Sequence, residues 1–106
     1  MSPDDQVAGM FRSKSPRLTE ERAEALALQV LAFLVADPKQ ISRFLSLTGT
    51  TPDELRNTGS SRELQIATLE YLLSDEGLLL TFCQDAGLDP ASIAPAHQLL
   101  SGTQYD

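Results

Sequence analysis

Apolar residues recur at helical spacing along most of the chain, beginning after residue 17. Thr19 is the predicted N-cap of the first helix, and Glu20 and Glu21 in its first turn suit the positive end of the helix dipole. The apolar positions of this helix extend well beyond a narrow stripe: Ala23, Leu26, Leu28, Val30, Leu31, Phe33, Leu34 and Val35. We therefore expect this helix to be covered on more than one side.

Proline and glycine mark the limits of the next two helices. Asp37–Pro38 should end helix one and begin helix two, because proline disfavours helix at the residue before it and suits the first helical position. Gly49 is the predicted left-handed end of helix two. Residues 51–54, Thr-Pro-Asp-Glu, form a capping box. This pattern predicts a short third helix, anchored by Leu55 and ending near Gly59.

The second half of the chain shows the same order of signals. A second capping box, from Ser60 to Glu63, predicts the start of helix four. Helix five should stop at Gly87, again through the left-handed conformation that glycine adopts without strain. Asp89–Pro90 begins the last element, which Pro95 is expected to kink or restart.

Residues 31–57 align with residues 69–95 without gaps, at an offset of 38 positions. The identical pairs are Leu31 with Leu69, Leu34 with Leu72, Asp37 with Asp75, Phe44 with Phe82, Gly49 with Gly87, and Pro52 with Pro90. Caps and glycine stops are common to helical proteins, but here the apolar positions between them keep the same offset. We predict an all-α fold, a compact bundle of five to six helices in which two helix–helix–short helix units pack as a pseudo-symmetric pair.

The N-terminal residues 1–17 mix proline, serine, glycine and charged residues without an apolar period, which predicts a flexible arm. Residues 18–101 are expected to form one helical domain, and residues 102–106 a frayed tail. Met10 and Phe11 are the only adjacent large apolar residues of the arm. They are either a chance pair, a loose contact with the domain, or a short docking motif.

Acidic residues outnumber basic ones, and the excess lies outside the arm. The formal net charge is −7, of which residues 1–17 contribute +1 and the remainder −8. Such a body repels nucleic acid and anionic membranes, so we expect neither as a partner. The most apolar segment, residues 25–36, is too short to span a bilayer. With one cysteine and no signal-peptide pattern, we expect a cytoplasmic protein.

The stretch from Phe44 to Arg56 resembles the turn of a DNA-binding helix-turn-helix, because Gly49 follows one helix and a second helix begins soon after. That second helix starts with Pro52-Asp53-Glu54. Its carboxylates would meet the phosphate backbone with the wrong sign. The charge of this segment therefore argues against a DNA-binding function.

Residue types that support catalysis or metal binding are scarce. A cysteine nucleophile needs a histidine partner, and the chain has only Cys83 and His97. Cys83 lies in the apolar stretch LLLTFC, which favours a small buried side chain over a reactive thiolate. Asp37 and Asp75 could meet across the pseudo-twofold, but both already serve as helix caps. We expect no enzyme activity, no cofactor and no metal site.

Three stretches carry a resemblance to a known family: ALQVLAFLVADPKQISRFLSLTG at 27–49, TPDELR at 51–56, and LEYLLSDEGLLLTFCQDAGLDPASI at 69–93. With them, residues 23 to about 102 resemble a family of small bacterial proteins known as domain of unknown function 3572. Tyr71 stands where the family pattern has phenylalanine. The resemblance implies a small helical protein without an assigned activity, and it supplies no catalytic residues.

The function that these patterns favour is a non-enzymatic helical module that binds another protein, or itself, through an apolar groove or patch. The surplus of apolar positions around helices one, four and five is the basis for this expectation. The alternative is a small-molecule-binding domain with a pocket between the two helical units.

Overall fold

The structure, a computed structural model, describes residues 18–102. Within this range the chain forms six α-helices and no strand, which confirms the all-α prediction. The helices are α1 (Glu20–Val35), α2 (Pro38–Thr48), α3 (Pro52–Leu55), α4 (Arg62–Leu73), α5 (Glu76–Ala86) and α6 (Ile93–Gly102), with single 3₁₀ turns at Thr58–Ser60 and Pro90–Ser92. The predicted arm, residues 1–17 with Met10 and Phe11, and residues 103–106 of the predicted tail lie outside the described residues.

The core lies between α1, α4 and α6, which pack extensively against one another. Arg62 at the start of α4 donates to Glu20 Oε1 at the start of α1 over 3.1 Å, and to the carbonyl oxygen of Leu100 near the end of α6 over 3.2 Å. The N-termini of α1 and α4 therefore meet the C-terminal part of α6, and α6 runs opposite to both. The side chains fully buried between the three helices are Ala23, Ala27, Val30, Leu34, Leu69, Leu72, Ile93, Ala96 and Leu100.

Most of the predicted helix caps are confirmed. Thr19 Oγ1 accepts a hydrogen bond from the N–H of Arg22, which is the third residue after the cap. Thr51 and Glu54 form a reciprocal capping box, with distances of 3.1 Å and 2.9 Å. Gly49 and Gly87 end α2 and α5 with φ of 72° and 71°. These local devices fix the helix ends independently of how the helices later pack.

The predicted start of α4 was wrong by one residue. Ser61, and not Ser60, is the N-cap, and its Oγ accepts from the N–H of Leu64 at 3.2 Å. The third helix also ends earlier than predicted, at Leu55 instead of near Gly59. The intervening 3₁₀ turn Thr58–Ser60 takes up the residues between them. Ser60 is the last residue of this turn, and its hydroxyl donates to the carbonyl of Asn57.

The predicted kink at Pro95 was also wrong. Pro95 is the third residue of α6, which runs without interruption to Gly102. N–H groups in the first turn of a helix have no intrahelical acceptor, so a proline there removes no hydrogen bond of the helix. Gly102 therefore belongs to the helix and not to the predicted tail.

The two halves share helix ends at the predicted offset of 38 residues but differ afterwards. α1 ends at Val35 and α4 at Leu73, and α2 and α5 both have 11 residues. Beyond the glycine stops, the first half has only the four-residue α3, whereas the second half has the ten-residue α6. α6 packs against both α1 and α4, and α3 has no contact of that extent. The packing of the two units as a pseudo-symmetric pair is not confirmed.

Candidate functional site: the outer face of α1

The two residues considered for nucleophilic chemistry have separate environments. Cys83 is buried in the core, with 1% of its surface exposed. Burial, and to a lesser extent the nearby charge of Asp89, raises the pKa of the Cys83 thiol, which keeps it protonated. His97 lies on α6, where its Nε2 is 3.2 Å from Glu70 Oε2 of α4. The Glu70 carboxylate therefore links α4 to α6 through His97.

Asp37 and Asp75 act as caps of their own helices, as predicted. Asp37 Oδ1 accepts from the N–H of Lys39 at 3.0 Å, and Asp75 Oδ1 accepts from the N–H of Leu78 at 3.1 Å.

Among residues 18–102, no three His, Cys, Asp or Glu side chains come together as metal ligands could. In the same range, no helix combines the length and the apolar content needed to cross a membrane. That the protein has no enzyme activity and no cofactor stays a prediction.

The stretch that resembles a helix-turn-helix does not continue into a long second helix. α3 has four residues and is therefore only about 6 Å long. Its Asp53 forms an exposed ion pair with Arg56 at 3.1 Å. A recognition helix needs several turns to enter the major groove. The absence of nucleic acid as a partner stays a prediction, now supported by the length of α3 as well as by charge.

α1 has a second apolar face that no other described residue covers. It consists of Ala25, Leu28, Ala32 and Val35, which we call the α1 outer face, and all four side chains are exposed. Leu28 and Val35 are 39% and 50% exposed. The expectation that α1 is covered on more than one side was therefore wrong within residues 18–102. Packing in the bundle covers one side of the helix and leaves the opposite side free.

The spacing of the α1 outer face is that of a helix-packing seam. Its residues follow one another at intervals of three, four and three, and so lie in one row about 15 Å long. No charged residue occurs anywhere from position 25 to position 36, and Gln29 is the single polar residue there. A helix face that points to water normally carries charged and polar side chains. The surplus of apolar positions on helix one was visible in the sequence, but periodicity did not show which of them pack in the core and which are exposed.

Among residues 18–102, the other large exposed apolar side chains are Leu18, Leu47 and Leu80, of which Leu18 shares a surface hollow with Pro95 and Leu99. Leu47 on α2 is 67% exposed and Leu80 on α5 is 48% exposed. Leu47 adjoins a surface hollow that also includes the basic residues Lys39 and Arg43. Isolated apolar side chains are common on protein surfaces and carry no functional meaning by themselves. The α1 outer face differs because its members form a continuous row on one helix.

A cleft lies where the end of α2, α3 and the start of α4 meet. Its volume is about 440 Å³, and its polar lining includes Thr50, Glu54, Asn57, Ser61 and Glu63. No residue of the second unit, 69–95, lines this cleft, so it is not the pocket that was predicted between the two units. Gly49, Leu64 and Ala67 supply the apolar part of the lining, which is therefore mixed, whereas ligand pockets are mostly apolar with a few polar groups.

These features define a class of protein, a small helical bundle with one uncovered apolar helix face. Residues 20–103 match the family model described as Protein of unknown function (DUF3572). The match covers more than half of the chain, and the chain belongs to this family, as the resemblance of its motifs implied. Comparison with curated proteins gave no match, and comparison with solved structures gave none either.

Proposed function

We propose that the protein is a non-enzymatic helical module that binds a protein partner through the α1 outer face. The observation that carries this proposal is the exposed, uncharged row on α1, from Ala25 to Val35. Covering apolar surface is the main source of association free energy in water. A row of this spacing fits a partner helix laid along it, because intervals of three and four residues keep the contact on one side of both helices.

The four residues of the α1 outer face have two roles in this proposal. Ala25 and Ala32 have small side chains, which allow the backbone of a partner helix to come close. Leu28 and Val35 have larger side chains, which project further from the helix and supply most of the apolar area to be buried. Full burial of one such side chain contributes about 1.5–3 kcal/mol. Because Leu28 and Val35 are 39% and 50% exposed, covering the exposed part of each contributes about half of that.

A paired capture experiment tests the proposal. The full chain and its Leu28→Lys/Val35→Lys variant are used as bait in a native lysate, with Leu80→Lys as the matched control, because Leu80 is similarly exposed but lies on α5. We expect a partner that binds the parent and the control but not the double variant. Recovery of the same proteins by all three baits would show that the α1 outer face is not the binding surface.

Met10 and Phe11 stay candidates for a docking motif of the same module. A Met10→Ser/Phe11→Ser variant in the same capture experiment tests whether they contribute to partner binding. Loss of a protein that the Leu28→Lys/Val35→Lys variant still captures would assign that protein to the arm.

The single cysteine, buried and unable to form an internal disulfide, supports a reducing compartment, and we place the module in the cytoplasm.

The second candidate function is binding of a small molecule in the cleft beside α3. Its volume of about 440 Å³ falls in the range of ligand pockets, which is roughly 300–1,000 Å³. Ala67, which lines the cleft, permits a test, because an Ala67→Leu substitution would fill part of it. A ligand that raises the melting temperature of the parent but not of Ala67→Leu would support this function. Equal shifts in both proteins would contradict it.

A further inference from the structure

We propose that the partner helix is α1 of a second copy of this chain, packed antiparallel to the first about a two-fold axis. The inference rests on the proposed function, since both use the α1 outer face. It adds the identity of the partner and the orientation of the two helices. Three properties of the face carry it: the alternation of residue sizes, the charges at its two ends, and its length.

The α1 outer face is self-complementary in size when two copies run antiparallel. Its residues alternate small and large, as Ala25, Leu28, Ala32 and Val35. With the two-fold axis midway along the row, Leu28 of one copy lies opposite Ala32 of the other. The same register places Ala25 opposite Val35. Each layer then joins one small and one large side chain, which fills space evenly and allows close approach of the helices.

A parallel arrangement of the same faces does not have this complementarity. It would place Leu28 against Leu28 of the second copy, and Ala25 against Ala25. Leucine layers would hold the helices apart, and alanine layers between them would leave voids. Interfaces with the packing density of protein interiors avoid both. The sizes of the side chains therefore favour the antiparallel orientation.

Charged residues flank both ends of the row, and at the Val35 end these include Asp37, whose carboxylate caps α2. Glu21 lies one turn before Ala25, and Lys39 lies four residues after Val35. Lys39 is the second residue of α2, beyond the turn that ends α1, so the antiparallel arrangement places it at the same end of the dimer as Glu21 of the second copy, while the register of α1 does not set the distance between them. Both side chains are exposed, and within residues 18–102 neither forms an ion pair. Opposite charges at matching ends offset part of the repulsion between two acidic chains.

The size of the face sets the expected strength of the dimer. A row about 15 Å long is shorter than a standard interface, which buries about 800 Å² on each partner. We therefore expect a reversible dimer with a dissociation constant in the range of about 10–300 μM, and not a permanent one. A dimer with a dissociation constant in this range is detected only when the protein concentration is varied from well below to well above that constant.

Sedimentation equilibrium of the full chain, from about 5 μM to about 1 mM, tests the dimer. Leu28→Lys should remove it, and Leu80→Lys should leave it unchanged. Ala32→Leu is the sharper variant: it should weaken the dimer by about tenfold or more, because it puts leucine against leucine. A merely sticky apolar patch would associate more tightly with this added leucine. Exchange of the two residues, Leu28→Ala/Ala32→Leu, restores a small–large layer and should return the dimer to within about threefold of the parent.

These substitutions leave the monomer fold intact, since all the residues concerned are exposed, and unchanged helical circular dichroism and melting temperature would establish that. A parent that stays monomeric at about 1 mM, or an Ala32→Leu variant that dimerises more tightly, would overturn the inference. If Met10→Ser/Phe11→Ser converts a monomeric parent into a dimer, the arm occupies the face in the full chain and the second copy does not.

Cysteine cross-linking tests the orientation. In an antiparallel dimer, Ala25→Cys and Val35→Cys chains mixed together should form a mixed disulfide faster than either forms one with itself. In a parallel dimer each variant would react fastest with its own kind, which would contradict the proposal. The natural Cys83 is buried and does not compete. If the parent is monomeric but the Leu28→Lys/Val35→Lys bait loses a foreign protein, this inference fails while the proposed function stands.

Discussion

The ring of Phe44 on α2 meets the ring of Tyr71 on α4 edge to face, with centroids 5.4 Å apart and an interplanar angle of 83°. At the offset of 38 residues, Phe44 corresponds to Phe82 and Tyr71 corresponds to Phe33. The rings of Phe82 and Phe33 also meet edge to face, with centroids 5.3 Å apart and an interplanar angle of 70°. In each contact, a long helix of one unit supplies a ring to the second helix of the other unit. The two halves are thus joined by two matching aromatic contacts, although α6 has no counterpart in the first half.

We predict that Phe44→Ala and Phe82→Ala each lower the free energy of unfolding by about 3–5 kcal/mol. Both side chains are buried, and each loses an edge-to-face partner as well as apolar burial. Urea denaturation measures the change. Leu47→Ala is the control, since Leu47 on α2 is largely exposed and should cost little. A large loss in only one of the phenylalanine variants would mean that the two contacts are not equivalent.

Gly49→Ala and Gly87→Ala should each destabilise the protein by about 1 kcal/mol. A Cβ at either position would meet no atom within 4 Å, so the cost comes from the positive φ alone. Gly59→Ala is a suitable control, because its Cβ is equally free and its φ is not positive. Thermal melts of all three variants, compared with the parent, measure the effect. If the Gly49 and Gly87 variants melt like the parent, the left-handed caps contribute nothing to stability.

Gln65 is a buried polar residue that the sequence patterns did not single out. Its Nε2 donates to the carbonyl oxygens of Thr58 and Gly59 over 2.9 Å and 3.3 Å, which ties the 3₁₀ turn to α4. We expect Gln65→Ala to lower the free energy of unfolding by about 2–4 kcal/mol, because it removes both of these hydrogen bonds and opens a cavity. Gln29→Ala, on the exposed side of α1, should change it by less than about 0.5 kcal/mol. Equal effects in urea denaturation would contradict this role.

The pKa of Cys83 predicts a pH dependence of stability. Burial raises the pKa of the thiol in the folded protein, so the folded state holds its proton to higher pH than the unfolded state. Its contribution is therefore fully present below the unfolded pKa of about 8.5, and is lost as pH rises through the folded value. The free energy of unfolding should fall between about pH 8.5 and 9.5, below the ordinary range of tyrosine. A Cys83→Ala variant should lack this fall.

Alkylation gives a second measurement of the same property. In the folded protein, iodoacetamide should modify Cys83 much more slowly than it modifies the urea-unfolded chain, because the thiol is buried and protonated. Modification of the native protein faster than of the unfolded chain would contradict the burial of Cys83. It would also reopen the question of a reactive thiol.

The helix ends could be predicted from sequence because their causes are local. Thr19, Asp37 and Gly49 act on residues within one turn of themselves, so no distant contact is needed to place them. The errors occurred where two local signals competed. Ser60 and Ser61 were both possible caps for α4, and only the 3₁₀ turn, which includes Ser60, decided that Ser61 is the cap.

The candidate site was visible in the sequence but was assigned the wrong environment. α1 is apolar on both sides for three turns, and periodicity counts Leu28 and Val35 as well as Leu34 among core positions. Nothing local distinguishes a face that meets α4 and α6 from one that meets water. The position of Gln65 under the 3₁₀ turn was likewise hidden, because a glutamine in a helical pattern gives no sign of burial.

The sequence by itself determined that this chain forms helices, where most of them begin and end, and that it belongs to its family. These properties follow from caps, proline, glycine and apolar spacing, which act over a few residues. Only the tertiary structure decided that α6 packs against both α1 and α4, and that the described residues leave Ala25, Leu28, Ala32 and Val35 uncovered. Which helix faces are buried depends on contacts between residues far apart in the chain. A local sequence pattern does not indicate the free energies of those contacts.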